Sequence, residues 1–203
     1  IVAAGSGTRL NSGSSDLPKQ YQLLDDKTVL EHTINAFTQH HLIDVVMPVI
    51  SVPHQSNYDA LDLDDAKLLA PVLGGKTRQS SVLAGLNALQ LHNPDVVLIH
   101  DAARPFLSQD TLEKLVKEVE VSGAVIPALS VTDTMKYMAD DHINNTIDRN
   151  FLYRAQTPQA FRYKAIFMAH RRFENSDLTD DSAIAEKSGL KVRIIEGNKN
   201  NFK

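Results

Sequence analysis

The sequence predicts an α/β fold: three layers built around a mostly parallel, twisted sheet. Three observations predict it. Short apolar runs rich in Val and Ile, at residues 1–4, 43–52, 96–99, 124–129 and 192–196, alternate with stretches of helical apolar spacing. The runs at 43–52, 96–99 and 124–129 are nearly continuous in their apolar character, as strands covered on both faces are. The unusual residues of the chain, its glycine pairs and a His-Asp-Ala-Ala-Arg-Pro stretch, follow directly after such runs. Ligands bind at that edge of a parallel sheet.

Taken in order, residues 1–4 read as the end of a buried strand and 5–19 as a long polar loop. Val29, Leu30, Ile34 and Phe37 lie at helical spacing, which predicts a helix over 28–39. A buried strand follows over 43–52, ending at Pro53. Residues 57–65 carry only a weak signal, and 67–72 read as a short strand. A helix over 77–90 turns Val82, Leu83, Leu86 and Leu89 inward, and 96–99 is a short apolar strand. Ser108 caps a helix whose inward face is Leu112, Leu115, Val116 and Val119, ended by Gly123. A strand over 124–129 leads to two extended arms, 132–137 and 146–156, around the turn-rich segment 140–145. Helices over 163–173 and 180–188, the second closed by Gly189, precede a last strand at 192–196. The loops after Ala4, Val72, Ile99 and Leu129 are therefore expected on one edge.

Length and composition bound the function. A chain of 203 residues suits a single domain, 1–203, with a substantial core. A net charge of −4 gives no sign of a general nucleic-acid or membrane binder, so any phosphate site must be built from local cations. There is no Cys, which excludes disulfides, thiolate metal sites and Cys nucleophiles. No apolar run is long enough for a bilayer and no signal peptide is visible, so a cytoplasmic enzyme is the expectation. The chain opens on Ile1-Val2 as if inside a strand, and closes on Asn201-Phe202-Lys203 without a terminating signal, so it reads as part of a longer chain.

Four groups of residues carry candidate chemistry. Gly5-Ser6-Gly7-Thr8-Arg9 follows a strand, with Pro18-Lys19 further on. Glycines let backbone N–H groups approach an anion, and Arg9 and Lys19 add charge. It is neither a Walker loop nor the dinucleotide fingerprint, since no Gly-Lys-Ser/Thr opens a helix and the third glycine is missing. Gly74-Gly75-Lys76-Thr77-Arg78 with Ser80-Ser81 is either a turn before a capped helix, or a place where Gly75 and Ser81 hydrogen-bond a base. In His100-Asp101-Ala102-Ala103-Arg104-Pro105, Asp101 suits a metal or a hydroxyl and Arg104 a phosphate, while His100 reads as structural. Thr134, Arg149, Thr157, Thr179 and Lys203 are polar residues in arms, turns or ends. His40-His41 lacks metal-ligand spacing and reads as a helix terminus.

Together these stretches resemble one family, the 2-C-methyl-D-erythritol 4-phosphate cytidylyltransferases of the non-mevalonate isoprenoid pathway. The resemblance rests on Val2-Ala3-Ala4-Gly5-Ser6-Gly7-Thr8-Arg9, Pro18-Lys19-Gln20-Tyr21, Gly74-Gly75-Lys76-Thr77-Arg78, Ser81-Val82-Leu83-Ala84-Gly85-Leu86 and His100-Asp101-Ala102-Ala103-Arg104-Pro105. It continues through Val131-Thr132-Asp133-Thr134, Asp148-Arg149, Gln156-Thr157-Pro158-Gln159, Thr179-Asp180-Asp181 and residues 197–203, so it covers nearly the whole chain. It implies a nucleotidyltransferase (Rossmann-like) fold and a homodimer joined by a protruding β-arm, here about 131–154. It implies CTP and a phosphorylated branched polyol as substrates, with Mg²⁺ carried mainly by phosphates and only weakly by Asp101. By resemblance, Ala3, Ala4, Gly5, Gly7, Gly75 and Ser81 bind the nucleotide, and Arg9 and Lys19 hold its triphosphate. Asp101, Arg104, Thr134, Arg149, Thr157, Thr179 and Lys203 line the acceptor site, some from the partner subunit. Arg9, Lys19, Arg149 and Lys203 are the expected catalytic cations. Lys76 stands where relatives often carry an acidic residue. Some relatives fuse a cyclodiphosphate synthase domain beyond the equivalent of Lys203. The expected compartment is the bacterial cytoplasm or the plastid stroma. A pentitol-phosphate cytidylyltransferase is the nearest alternative, and a non-catalytic nucleotide-binding protein a remote one.

Overall fold

The structure is a computed structural model, and it describes residues 1–5, 17–174, 176 and 178–203. Its first strand, β1 (Val2–Ala3), is followed by a hairpin of β2 (Leu23–Leu24) and β3 (Lys27–Thr28), then α1 (Val29–Thr38). Thr28 and Glu31 form a reciprocal capping box that starts α1 at the predicted residue. Next come β4 (Val49–Ile50), α2 (Gln55–Asp59), β5 (Val72–Leu73), α3 (Arg78–Leu89), β6 (Val96–Ile99), α4 (Gln109–Ser122) and β7 (Ala124–Ser130). The arm hairpin is β8 (Met135–Ala139) and β9 (His142–Ile147); β10 (Tyr153–Ala155), β11 (Gln159–Arg162), α5 (Tyr163–Arg172), α6 (Asp181–Lys187) and β12 (Arg193–Glu196) complete the chain.

The sheet runs β5-β4-β1, all parallel, and β1 continues onto β6 through a parallel bridge between Val2 and Asp101. Beyond β6 lies β11, antiparallel to both its neighbours, then β7, which pairs in parallel with β12. Both faces are covered. Val82 and Leu86 of α3, Ile166 of α5 and Ile184 of α6 bury against Val97, Ile99 and Phe161 on one face. Leu115 and Val119 of α4 bury against Val125 and Ala160 on the other. Phe37 of α1 joins Leu112 of α4 in a neighbouring cluster. Adjacent residues of β7 and β11 thus feed opposite layers, as the strand period of two requires. Gly85 lets α3 approach closely, since a Cβ there would lie 2.7 Å from Val49 Cγ2.

Four sequence expectations need correction. The strand expected over 43–52 is reduced to β4 and one bridge from Val46 to Leu68. Pro48 stands between them and has no N–H to give the ladder. The strand expected over 67–72 likewise moves to β5, beyond Pro71. The arm turn is confined to Asp140 and Asp141, both at positive φ, so His142 to Asn145 are strand residues. Last, β11 was not foreseen. Its Gln-Ala-Phe-Arg has no alternation, and only its place between β6 and β7 makes it a strand, so the sheet is mixed. The α/β class and its helical layers stand as expected.

Candidate active site

The first half of the candidate site, where the sequence places nucleotide contacts, is where the loop after β1 meets the loop after β5. The Gly74 N–H donates to Ile50 O at 2.7 Å and so continues the β4–β5 ladder. A Cβ on Gly74 would lie 2.7 Å from Ala4 Cβ and 2.6 Å from Ser81 Oγ, so only glycine allows the loops this close. Ser81 is buried, and its hydroxyl donates to Thr77 O at 2.8 Å while accepting from the Gly75 N–H at 3.2 Å. Ser81 thus shapes the glycine loop through both contacts. Gln20, one residue after Lys19, donates to Ala3 O at 2.8 Å and to Gly5 O at 3.1 Å. It fastens the short turn Lys19–Tyr21 to the residues just after β1. Gly7 and Arg9 lie outside the described residues.

The second half of the candidate site is organised by Asp101 just beyond β6. Its Oδ1 faces Arg78 Nε at 3.4 Å, and its Oδ2 faces Lys203 Nζ at 3.0 Å and Arg104 Nε at 3.5 Å. Burial alone would raise the Asp101 carboxyl, but Arg78 and Lys203 outweigh it and hold its pKa at about 2. Arg78 also reaches Asp181 Oδ2 at 2.7 Å. Asp181 is fully buried, with His170 Nε2 at 3.2 Å from its other oxygen. Burial opposes its charge, and His170 and Arg78 together push its pKa down. Three cations against two carboxylates leave this cluster positive, the sign a phosphate needs.

Beneath Asp101 a chain of hydrogen bonds sets the floor. The Asp101 N–H donates to Thr157 Oγ1 at 3.1 Å, and that hydroxyl pairs with His100 Nδ1 at 3.0 Å. His100 Nε2 lies 3.0 Å from Arg104 O. This order makes Nδ1 the acceptor and Nε2–H the donor. Burial lowers the His100 pKa to about 4, so the ring is neutral and structural, as expected. Two residues expected at the acceptor site also have internal partners. Thr157 is buried and its hydroxyl is committed to His100 and Asp101. Arg104 donates from Nη1 to Asn201 O at 2.8 Å and so holds the C-terminal segment.

Asp101 does not fit a protein-held Mg²⁺. That ion wants a set of oxygen donors, whereas both Asp101 oxygens face nitrogen cations. His40, His41 and Glu113 offer ligand atoms within 4.8 Å of one another, a cluster that only the packing of α1 on α4 creates. His40 Nδ1, however, accepts from the Leu42 N–H at 3.1 Å, which leaves the hydrogen on Nε2 and no lone pair for a metal. The arm residues Thr134 and Arg149 are exposed; Arg149 hydrogen-bonds Thr132 O, and among the described residues neither bonds to the Asp101 cluster. Thr179 is exposed just before Asp180, the N-cap of α6.

A family profile described as IspD, 2-C-methyl-D-erythritol 4-phosphate cytidylyltransferase, matches residues 1–203. The chain belongs to that family. It is 43% identical over 203 residues to the bifunctional enzyme IspD/IspF of Paramagnetospirillum magneticum, covering all of this chain and 52% of that protein. It is 44% identical over 207 residues to the bifunctional IspD/IspF of Wolbachia pipientis wMel, covering all of this chain and 51% of that protein. The chain thus spans about half the length of these curated relatives. Among solved structures, the 4-diphosphocytidyl-2C-methyl-D-erythritol synthase of Anaerococcus prevotii superposes with a TM-score of 0.84 at 32% identity, over all of this chain and 87% of that one. The Francisella tularensis IspD cytidylyltransferase superposes at 0.83 and 29% identity, over all of this chain and 91% of that one.

Within this IspD chain, three residues that hold the candidate site together were not among those the sequence singled out: Gln20, Arg78 and Asp181. Each sits inside a motif quoted for the resemblance, but its role depends on partners far along the chain. Arg78 meets Asp101 and Asp181, which are 23 and 103 positions away. No local spacing encodes those pairs. The one available signal was the Gly-Gly-Lys-Thr-Arg order at a helix start.

Proposed function

We propose that this chain transfers the cytidylyl group of CTP to 2-C-methyl-D-erythritol 4-phosphate, releasing pyrophosphate, in non-mevalonate isoprenoid biosynthesis. One observation carries the reading in a chain of this family. A glycine-lined nucleotide loop and a net positive Asp101 cluster share the carboxyl edge of one sheet, with Arg78 rising from the helix that also holds Ser81. The acceptor's phosphate oxygen attacks the α-phosphorus in line with departing pyrophosphate. A phosphate monoester is largely dianionic at neutral pH, with a second pKa of ~6, so no strong base is needed. Positioning and charge neutralisation carry the rate. Lys19 and Arg9 hold the triphosphate, while Lys203 lies on the acceptor side. Mg²⁺ would supply further neutralisation through the phosphate oxygens.

Met135, Tyr137, Met138, Ile143 and Phe151 are exposed on the arm, which supports a homodimer in which Thr134 and Arg149 reach the partner's site. The named relatives are bacterial, which supports a place in the bacterial cytoplasm. Among the described residues, no helix is long and apolar enough to cross a membrane. Incubation with CTP and either methylerythritol phosphate or ribitol 5-phosphate, reading pyrophosphate, tests the function. Release only with the branched acceptor is expected. Release only with the pentitol phosphate, or none at all, would overturn the reading.

A further inference from the structure

We propose that Gln156 and Asn201 are positioning residues for the acceptor half of the site, fastening the segment 197–203 across the sheet edge and so setting Lys203 over Asp101. The inference rests on the reading of this site as one that takes CTP and an acceptor phosphate.

Lys203 carries a long side chain that is 53% exposed, yet its Nζ stands 3.0 Å from Asp101 Oδ2. An exposed lysine holds one place only if its backbone is held, because its rotamer freedom is large. The backbone hold is visible two residues earlier. Asn201 is fully buried, and its Nδ2 donates to Thr157 O at 2.8 Å. Its own carbonyl accepts from Gln156 Nε2 at 3.1 Å and from Arg104 Nη1 at 2.8 Å. Gln156, also buried, donates to Asn198 O at 2.8 Å and accepts from the Asn198 N–H at 3.1 Å. One side chain therefore closes both ends of the turn 198–201.

The fit leaves no slack. A Cβ on Gly197 would lie 2.5 Å from Gln156 Oε1 and 3.1 Å from the Ala128 carbonyl carbon. Gly197 itself donates to Ala128 O at 2.9 Å, where β12 leaves β7. Among the described residues Asn201 Oδ1 is buried without a partner, a cost accepted at a residue whose amide end meets the Thr157 backbone. Thr157 in turn holds the Asp101 N–H. Asn201 and Asp101 are thus referenced to the same residue, so the lysine that follows one is kept in register with the carboxylate of the other. If Gln156 served only to hold the end of β12, its loss would lower stability without discriminating between the two substrates.

The test uses the full chain, with CTP and 2-C-methyl-D-erythritol 4-phosphate as substrates. Absence of pyrophosphate from the unmodified protein overturns the functional reading, and that result is read before any variant. Given turnover, Q156L is expected to raise the acceptor KM about tenfold, the scale of a lost hydrogen bond, with the CTP KM changed less than about twofold. Amide exchange in 197–203 should quicken at the same time. Q156E keeps the shape and the Asn198 N–H acceptor but loses the donors, and should show the same selectivity if Q156L does not fold. In a K203M background the acceptor effect of Q156L should nearly vanish, since Gln156 acts through Lys203. An unchanged acceptor KM, equal rises for both substrates, or full additivity with K203M would each overturn the proposal.

Discussion

Asp101→Asn removes the charge that gathers three cations while nearly preserving shape. The side chain is 14% exposed, so its electrostatics are only partly screened by water. Its pKa falls from 3.8 to about 2 on folding, and this corresponds to about 2.5 kcal/mol of stability at pH 7. The sign follows from the depressed pKa. The contribution is fully present above the unfolded value of 3.8 and is lost as pH falls through about 2. Substitution also leaves Arg104 and Lys203 without their carboxylate, but Lys203 is 53% exposed and rehydrates readily. Urea unfolding followed by circular dichroism, at pH values from about 7 down to about 2.5, measures the difference between the two proteins. It should be roughly 2–3 kcal/mol at neutral pH and narrow below about pH 4. A difference under about 0.5 kcal/mol at pH 7, or one that does not narrow in acid, would refute the account of Asp101 as a charge hub.

Replacing Lys19 by Ala should lower kcat by about 10²–10³ and raise the CTP KM much less, by analogy with loss of an oxyanion donor; an unchanged turnover number removes Lys19 from that role. Arg78→Met leaves Asp181 fully buried with only His170 beside it. A loss of about 3–5 kcal/mol is expected in denaturant titration, and a loss under about 1 kcal/mol would show that the pair is not a strut. Gly85→Ala pushes a methyl to within 2.7 Å of Val49 Cγ2 and should cost about 1–3 kcal/mol; thermal unfolding with no fall in Tm would contradict that packing. Thr28→Ala breaks the capping box with the buried Glu31, and should cost about 1–2 kcal/mol by the same measurement.

Much of the fold was legible because its signals are local. The helix caps Thr28, Thr77, Ser108 and Asp180 accept from backbone N–H groups within their own first turn, so they can be read in place. Gly189, at φ +91, ends α6 for reasons contained in one residue. The failures share a different cause. β11 is a strand because β6 and β7 flank it, and nothing in Gln159–Arg162 announces this. β4 is short because Pro48 interrupts a run whose apolar content alone suggested ten residues. The site divides in the same way. Its glycine loops and the Asp101 stretch were visible as residue types after strands. The commitment of Thr157 and Arg104 to internal partners was not, since those partners lie up to 97 positions away.

By itself, then, the sequence determined the α/β class, the boundaries of α1 and of α3 to α6 (though not the short α2), and the loops where the unusual residues gather, because capping, apolar period and glycine placement act over a few residues. Only the tertiary structure decided which polar groups face a ligand and which hold one another. Asp101 drew Arg78, Arg104 and Lys203 to one carboxylate, and Gln156 and Asn201 closed the segment that carries Lys203. Those pairings depend on distance in space and on exclusion of water, and neither is written in the spacing of residues along the chain.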